Sequence, residues 1–153
     1  MNYQTVSLSL PLVSQVKESP NIFFRTPMDV CNFMSDLAFL AQESFQILTI
    51  NAKNGLINRH LITLGLLDSS LIHPREVFRA AILDSAKYII LVHNHPSGDP
   101  TPSAEDIRVT RQIVDAGRVI DIPPMDHIIF GRKDNGAITF SMRETGTVNF
   151  CLI

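Results

Sequence analysis

Two of the five histidines in this chain fall two residues apart, in the stretch "HNHPSGDPTPSAED" from His93 to Asp106. They follow an apolar run, "YIILV", from Tyr88 to Val92. In an extended chain, residues i and i+2 point to the same face, so the imidazoles of His93 and His95 can meet at one point. The loop after them is stiffened by Pro96, Pro100 and Pro102 and turned by Gly98, and Asp106 falls in the first turn of the helix that follows. Two imidazoles and one carboxylate with an open fourth position are the donor set of a catalytic zinc site. Zinc lowers the pKa of a bound water from about 15.7 to about 7, which makes a nucleophile available at neutral pH. The same residues have a purely structural reading, because "SAED", Ser103 to Asp106, is also a helix capping box. The box accounts for Ser103 and Asp106 but not for two same-face histidines just before it.

The elements that must position these residues can be read along the chain. "TVSLSLPLVSQV" alternates apolar and polar residues and suggests an edge strand or arm, with Pro11 arguing against a central one. Thr26 as N-cap, Pro27 at the first helical position, Asp29 in the first turn and apolar Val30, Phe33, Met34, Leu37 and Leu40 predict one helix over 26–42. "SFQILTINAKNGLINRHLITLG" predicts two strands around a turn at Asn54-Gly55. "DSSLIHP" is a short strand or connector. "HPREVFRAAILDSA" predicts a second helix, with Val77, Phe78, Ala81 and Ile82 on its buried side. "KYIILVHNH" is a buried central strand, and "SAEDIRVTRQIVDAG" a third helix stopped by Gly117 in the C′ role. "VIDIPP", "DHIIFG" and "AITFSM" predict short strands, with a turn at "KDNG". The order gives an α/β or α+β domain: a mixed sheet covered by helices, preceded by an arm over residues 1–25.

Composition narrows the function. Apolar residues make up 45% and charged residues 18% of the 153, which suits one globular domain with its own core. The net charge is −2 and the sequence pI is about 6.2, so no basic footprint for nucleic acid is present. Arg108, Arg111 and Arg118 are scattered along one helix and its exit and read as a solvated face. Cys31 and Cys151 form no CxxC pair and read as reduced thiols of a cytoplasmic protein. The first residues show neither a basic n-region nor an apolar h-region, and no window nears the roughly 20 apolar residues of a membrane span.

"HNHPSGDPTPSAED" resembles the metal-binding signature of the JAMM (MPN-plus, JAB-domain) metalloproteases, and more narrowly of their RadC-like branch. In that branch "QESFQILTINAKNGLI", "HPREVF", "HNHPSGDPTPS" and "DHIIFG" recur in this order, and the resemblance covers Thr26 to Met142. It implies a three-layer JAMM/MPN-like domain of cytidine-deaminase-like architecture over residues 26–153. It also implies zinc held by His93, His95 and Asp106, with Ser103 helping to stabilise an oxyanion. The family further requires a glutamate as general base. Glu43, just before the first hairpin strand, stands where the family's glutamate stands. Glu76, in the first turn of a helix, reads instead as a residue complementing the helix dipole. Of the other histidines, His60 is expected to be a surface or packing residue, His73 to cap or bound a helix, and His127 to support the site from behind it.

The sequence departs from the resemblance in two respects. The helix-hairpin-helix region of full-length RadC-type proteins is expected to be absent, replaced by the arm. Asn94 stands between the histidines where deubiquitinating relatives have Ser or Thr, which matches the bacterial branch. The expected function is a zinc-dependent metallohydrolase of peptide or isopeptide bonds. The alternatives are a DNA-repair-associated protein and a non-catalytic MPN-type interaction protein. A zinc deaminase is excluded because no P-C-x-x-C pair exists, and the helical HExxH motif is absent. The apolar tail "VNFCLI" either completes the sheet or supports a homodimer.

Overall fold

A computed structural model describes residues 21–65 and 72–150. Most of the arm, most of the "DSSLIHP" connector and Cys151 lie outside the described residues. The elements are α1 (Pro27–Phe33), a 3-10 helix (Ser35–Phe39), β1 (Ser44–Ile50), β2 (Leu56–Leu64), α2 (Pro74–Leu83), β3 (Tyr88–Asn94), α3 (Ala104–Val119), β4 (Pro124–Lys133) and β5 (Gly136–Ser141). The strands form one mixed sheet in the order β2-β1-β3-β4-β5, in which β3 and β4 are parallel and the other pairs antiparallel. The parallel pair requires a crossover, and α3 supplies it.

Alternation along the strands divides the core into two faces. Phe45, Ile47, Ile89 and Leu91 pack against Val77, Phe78 and Ala81 of α2 and Val109 and Ile113 of α3. Leu48, Ile50, Ile90, Val92, Ile128 and Phe130 pack against Val30, Met34, Leu37 and Ala38 on the other side. The domain therefore has three layers, and β1, covered on both faces, is buried along its whole length. The described end of the arm joins this core: Phe24 is buried and donates its N–H to the Asn54 carbonyl.

Several boundaries differ from the sequence reading. The helix expected over 26–42 breaks at Met34 and continues as a 3-10 turn. A 3-10 helix eclipses residues i and i+3, and this brings both Met34 and Leu37 fully under the sheet. Ile82, expected on the buried side of α2, is 58% exposed. Gly117 does not end α3, which runs on to Val119. A Cβ at Gly117 would lie 2.8 Å from both the Ile122 carbonyl oxygen and Pro124 Cδ, so the position is small to let the chain after the helix pack against it. The left-handed residue at this exit is Asp121, in the middle of "VIDIPP", which forms no strand of its own. β4 begins only at Pro124 and absorbs "DHIIFG".

Candidate metal centre

His93 is the penultimate residue of the core strand β3 and is wholly buried, whereas His95 lies just beyond the strand in the loop. The loop folds back on β4. His95 N–H donates to the Phe130 carbonyl at 2.8 Å, and Arg132 N–H donates to the Gly98 carbonyl at 2.8 Å. This close approach needs glycine on both sides, since a Cβ at Gly131 would fall 2.2 Å from the Gly98 oxygen, and Gly98 itself has a φ of +92°. The loop then delivers the chain to the start of α3. There Ser103 and Asp106 form the expected capping box: Ser103 N–H donates to Asp106 Oδ2 at 2.7 Å and Asp106 N–H donates to Ser103 Oγ at 3.1 Å.

The capping box and the convergence of candidate ligands occur together. His93 Nε2 lies 2.9 Å from His95 Nε2 and 3.3 Å from Asp106 Oδ1, and His95 Nε2 lies 3.4 Å from Asp106 Oδ2. Glu43 reaches the same point from the entrance of β1, with Oε1 4.0 Å from His93 Nε2. Glu43, His93 and His95 make up a group with the geometry to hold a metal ion, and the Asp106 carboxylate stands against both histidines of that group. The donor chemistry fits a cation. His95 Nδ1 lies 2.7 Å from the Asp99 carbonyl oxygen, which can only accept, so Nε2 is the nitrogen left to take a proton or a metal.

The two carboxylates are set apart by their surroundings. Burial raises the Asp106 carboxyl, but the adjacent His93 and His95 rings and the Ser103 hydroxyl outweigh it and hold the group well below the usual carboxylate range. Burial raises Glu43 and prevails over the nearby His93 and His95. The hydrogen bond to Asp106 raises His95 above the ordinary histidine value, against the opposing effect of burial. Burial and the neighbouring His93 push His127 well down, so its ring is neutral.

Four supporting residues, Asn94, His127, Thr110 and Phe45, complete the site. Asn94, between the histidines, points to the opposite face and is buried. Its Oδ1 accepts from Ser44 N–H and Ser44 Oγ, both at 2.9 Å, and its Nδ2 donates to the Gln42 carbonyl at 3.0 Å. Asn94 thus clamps the main chain on either side of Glu43. Behind His93, His127 Nε2 stands 2.7 Å from His93 Nδ1, and His127 Nδ1 stands 2.6 Å from Thr110 Oγ1. Phe45 stacks on the His93 ring and meets the His127 ring edge-on.

Ser103 lines the cleft, but its hydroxyl donates to Asp106 Oδ2 at 2.7 Å. Glu76 lies away from the site, exposed and paired with Arg75 at 3.3 Å. His73 caps α2, accepting from Arg75 N–H, and His60 bonds Asp84 at 2.6 Å. Sequence reasoning missed Thr110 and the clamping role of Asn94. The available signals were a threonine one helical turn after Asp106 and an amide at the end of an otherwise apolar strand.

A cleft of about 360 Å³ opens onto the site, lined by Glu43, Phe45, Ile72, His95, Ser103 and Val109 among others. Among the described residues no helix is long and apolar enough to cross a membrane. Residues 24–147 match the RadC-like JAB domain, a domain of the JAMM/MPN superfamily. The chain is 46% identical over 134 residues to a UPF0758 protein of Caldanaerobacter subterraneus, covering 87% of this chain and 56% of that protein. It is 48% identical over 137 residues to a UPF0758 protein of a Geobacillus species, covering 89% and 59% respectively. It is also 48% identical over 135 residues to a UPF0758 protein of Listeria monocytogenes, covering 88% and 58%. The chain thus spans little more than half the length of these curated relatives. With the three-layer fold, the histidine pair and the matched domain in agreement, the chain belongs to the RadC-like JAB domain family.

Proposed function

We propose that this domain is a zinc-dependent metallohydrolase that cleaves peptide or isopeptide bonds. The observation carrying the reading is the convergence of His93 Nε2, His95 Nε2 and the Asp106 carboxylate on one point at the mouth of a cleft. His93, His95 and Asp106 would hold the zinc. Asp106 is preferred over Glu43 as the third ligand because it is nearer to both histidines and is held ionised. Bound zinc supplies Lewis acidity to a scissile carbonyl and acidifies water.

The remaining work falls to the chain. Glu43 stands one step back from the histidines with a raised proton affinity, which suits a group that takes a proton from water and returns it to a leaving amine. Ser103 lies where a hydroxyl can donate to a developing oxyanion, and to do so it must release Asp106 Oδ2. Phe45, Ile72 and Val109 give the cleft an apolar wall against which a substrate chain can pack.

The test is metal content by plasma mass spectrometry on protein purified without affinity tag or chelator, beside Asp106→Ala and Glu43→Ala. Near-stoichiometric zinc that falls in Asp106→Ala and persists in Glu43→Ala supports the reading. The reverse pattern would exchange the roles of the two carboxylates. Little zinc in the unaltered protein, even after zinc is offered, would reduce "SAED" to a helix cap and overturn the proposal.

A further inference from the structure

We propose that Thr110 and His127 are positioning residues that hold His93 in the one tautomer able to bind a metal through Nε2. The inference rests on the metal-site reading above and deepens it. It follows from counting hydrogens. Thr110 Oγ1 has one hydrogen, which it donates to the Asp106 carbonyl oxygen at 2.6 Å, one turn back in α3. Towards His127 Nδ1, 2.6 Å away, the hydroxyl can therefore only accept, and Nδ1 must carry the hydrogen.

His127 is buried, and its two ring nitrogens face a histidine and a hydroxyl, neither of them an anion. A neutral imidazole carries one N–H, so His127 Nε2 presents a lone pair. His93 Nδ1, 2.7 Å from it, must then be the donor. This leaves His93 Nε2 without a hydrogen, and Nε2 is the atom that faces His95 and Asp106. A ligating histidine is commonly oriented by a partner on its other nitrogen. Here the partner is itself fixed by a threonine anchored on the main chain of another ligand. The relay runs from Asp106 through Thr110 and His127 to His93, joining α3 to β3 behind the metal position.

The test uses the full chain with isotope-labelled histidine ring nitrogens, without metal and at mildly alkaline pH, together with zinc affinity by chelator competition. In the unaltered protein the ring shifts should place the His93 hydrogen on Nδ1. Thr110→Val removes the acceptor, so His127 is free to reverse and His93 should acquire an Nε2–H population. Zinc affinity should fall by about 10- to 100-fold. Thr110→Ser keeps the hydroxyl and should restore both readings. A merely structural role for Thr110 would lower stability without moving the His93 hydrogen. A hydrogen on Nε2 of His93 in the unaltered protein overturns the relay, even if Thr110→Val fails to fold. An unchanged tautomer or unchanged zinc affinity in a folded Thr110→Val overturns it as well. If the unaltered protein binds no zinc, the metallohydrolase reading falls, while the tautomer measurement still decides the relay.

Discussion

Glu43 and Asp106 share one cleft, and their environments drive their proton affinities in opposite directions, as the proposed division into an acid-base group and an anionic ligand requires. Glu43→Gln keeps the shape of the side chain but cannot accept a proton. Turnover in a peptidase assay should fall by about 10²- to 10⁴-fold while bound zinc is retained. Because burial raises Glu43, the ionised base is lost earlier on acidification than an ordinary glutamate would be. The acid limb of the rate profile should therefore lie above the ordinary glutamate value. An acid limb at or below that value, or full turnover in Glu43→Gln, would remove Glu43 from the role. Asn94 offers a separate test. Asn94→Ala strips the partner from a buried Ser44 N–H and should cost about 1–3 kcal/mol in urea unfolding. A change of a few tenths would mean that Asn94 does not hold the strand entrance.

The elements were legible in proportion to how local their causes are. β1, β3, the Asn54 turn, the N-cap at Thr26 and the capping box at Ser103 depend on near neighbours and appear where the sequence places them. The break at Met34, the exposure of Ile82 and the small residue at Gly117 depend on what the rest of the fold brings alongside, and no periodicity records that. The site follows the same rule. The spacing of His93 and His95 was readable, whereas Thr110 and Asn94 act on partners distant in sequence: His127 in one case, Gln42 and Ser44 in the other. The crossing of Gly98 and Gly131 is another such contact. Gly131→Ala places a Cβ against the Gly98 carbonyl oxygen, so β4 or the loop must move. The overpacking should cost about 1–3 kcal/mol and shift His95, weakening zinc binding as well. Wild-type melting and zinc affinity in Gly131→Ala would show that the loop yields freely. Asp84, at the end of α2, gives a pH-dependent counterpart. Burial raises its carboxyl, but hydrogen bonds from Thr49, His60 and Asn58 outweigh this and leave it lowered. A depressed folded value adds stability that is complete above the unfolded value, near 3.8, and is lost as pH falls through the folded one. Asp84→Asn should flatten the acid end of the stability curve, and an unchanged acid limb would assign that loss to other groups.

At the scale of the molecule, the candidate ligands come from different parts of the fold. Glu43 stands at the entrance of β1, His93 and His95 at the end of β3, and Asp106 in the first turn of α3. A metal held there ties the central strands to the crossover helix, and only folding brings Glu43 and Asp106 to the histidine pair. Zinc at one hundred times its dissociation constant therefore adds about 2.7 kcal/mol to the stability of the folded state. For a domain of this size each kcal/mol moves the melting temperature by about 2–4 °C, so the expected rise is roughly 5–10 °C. A chelator should reverse it. Asp106→Ala should abolish the rise, and Glu43→Gln should preserve it if Glu43 is not a ligand. Differential scanning calorimetry on these three proteins separates the outcomes. A rise that survives Asp106→Ala would place the metal elsewhere, and no rise in the unaltered protein would mean that the converging histidines bind only a proton.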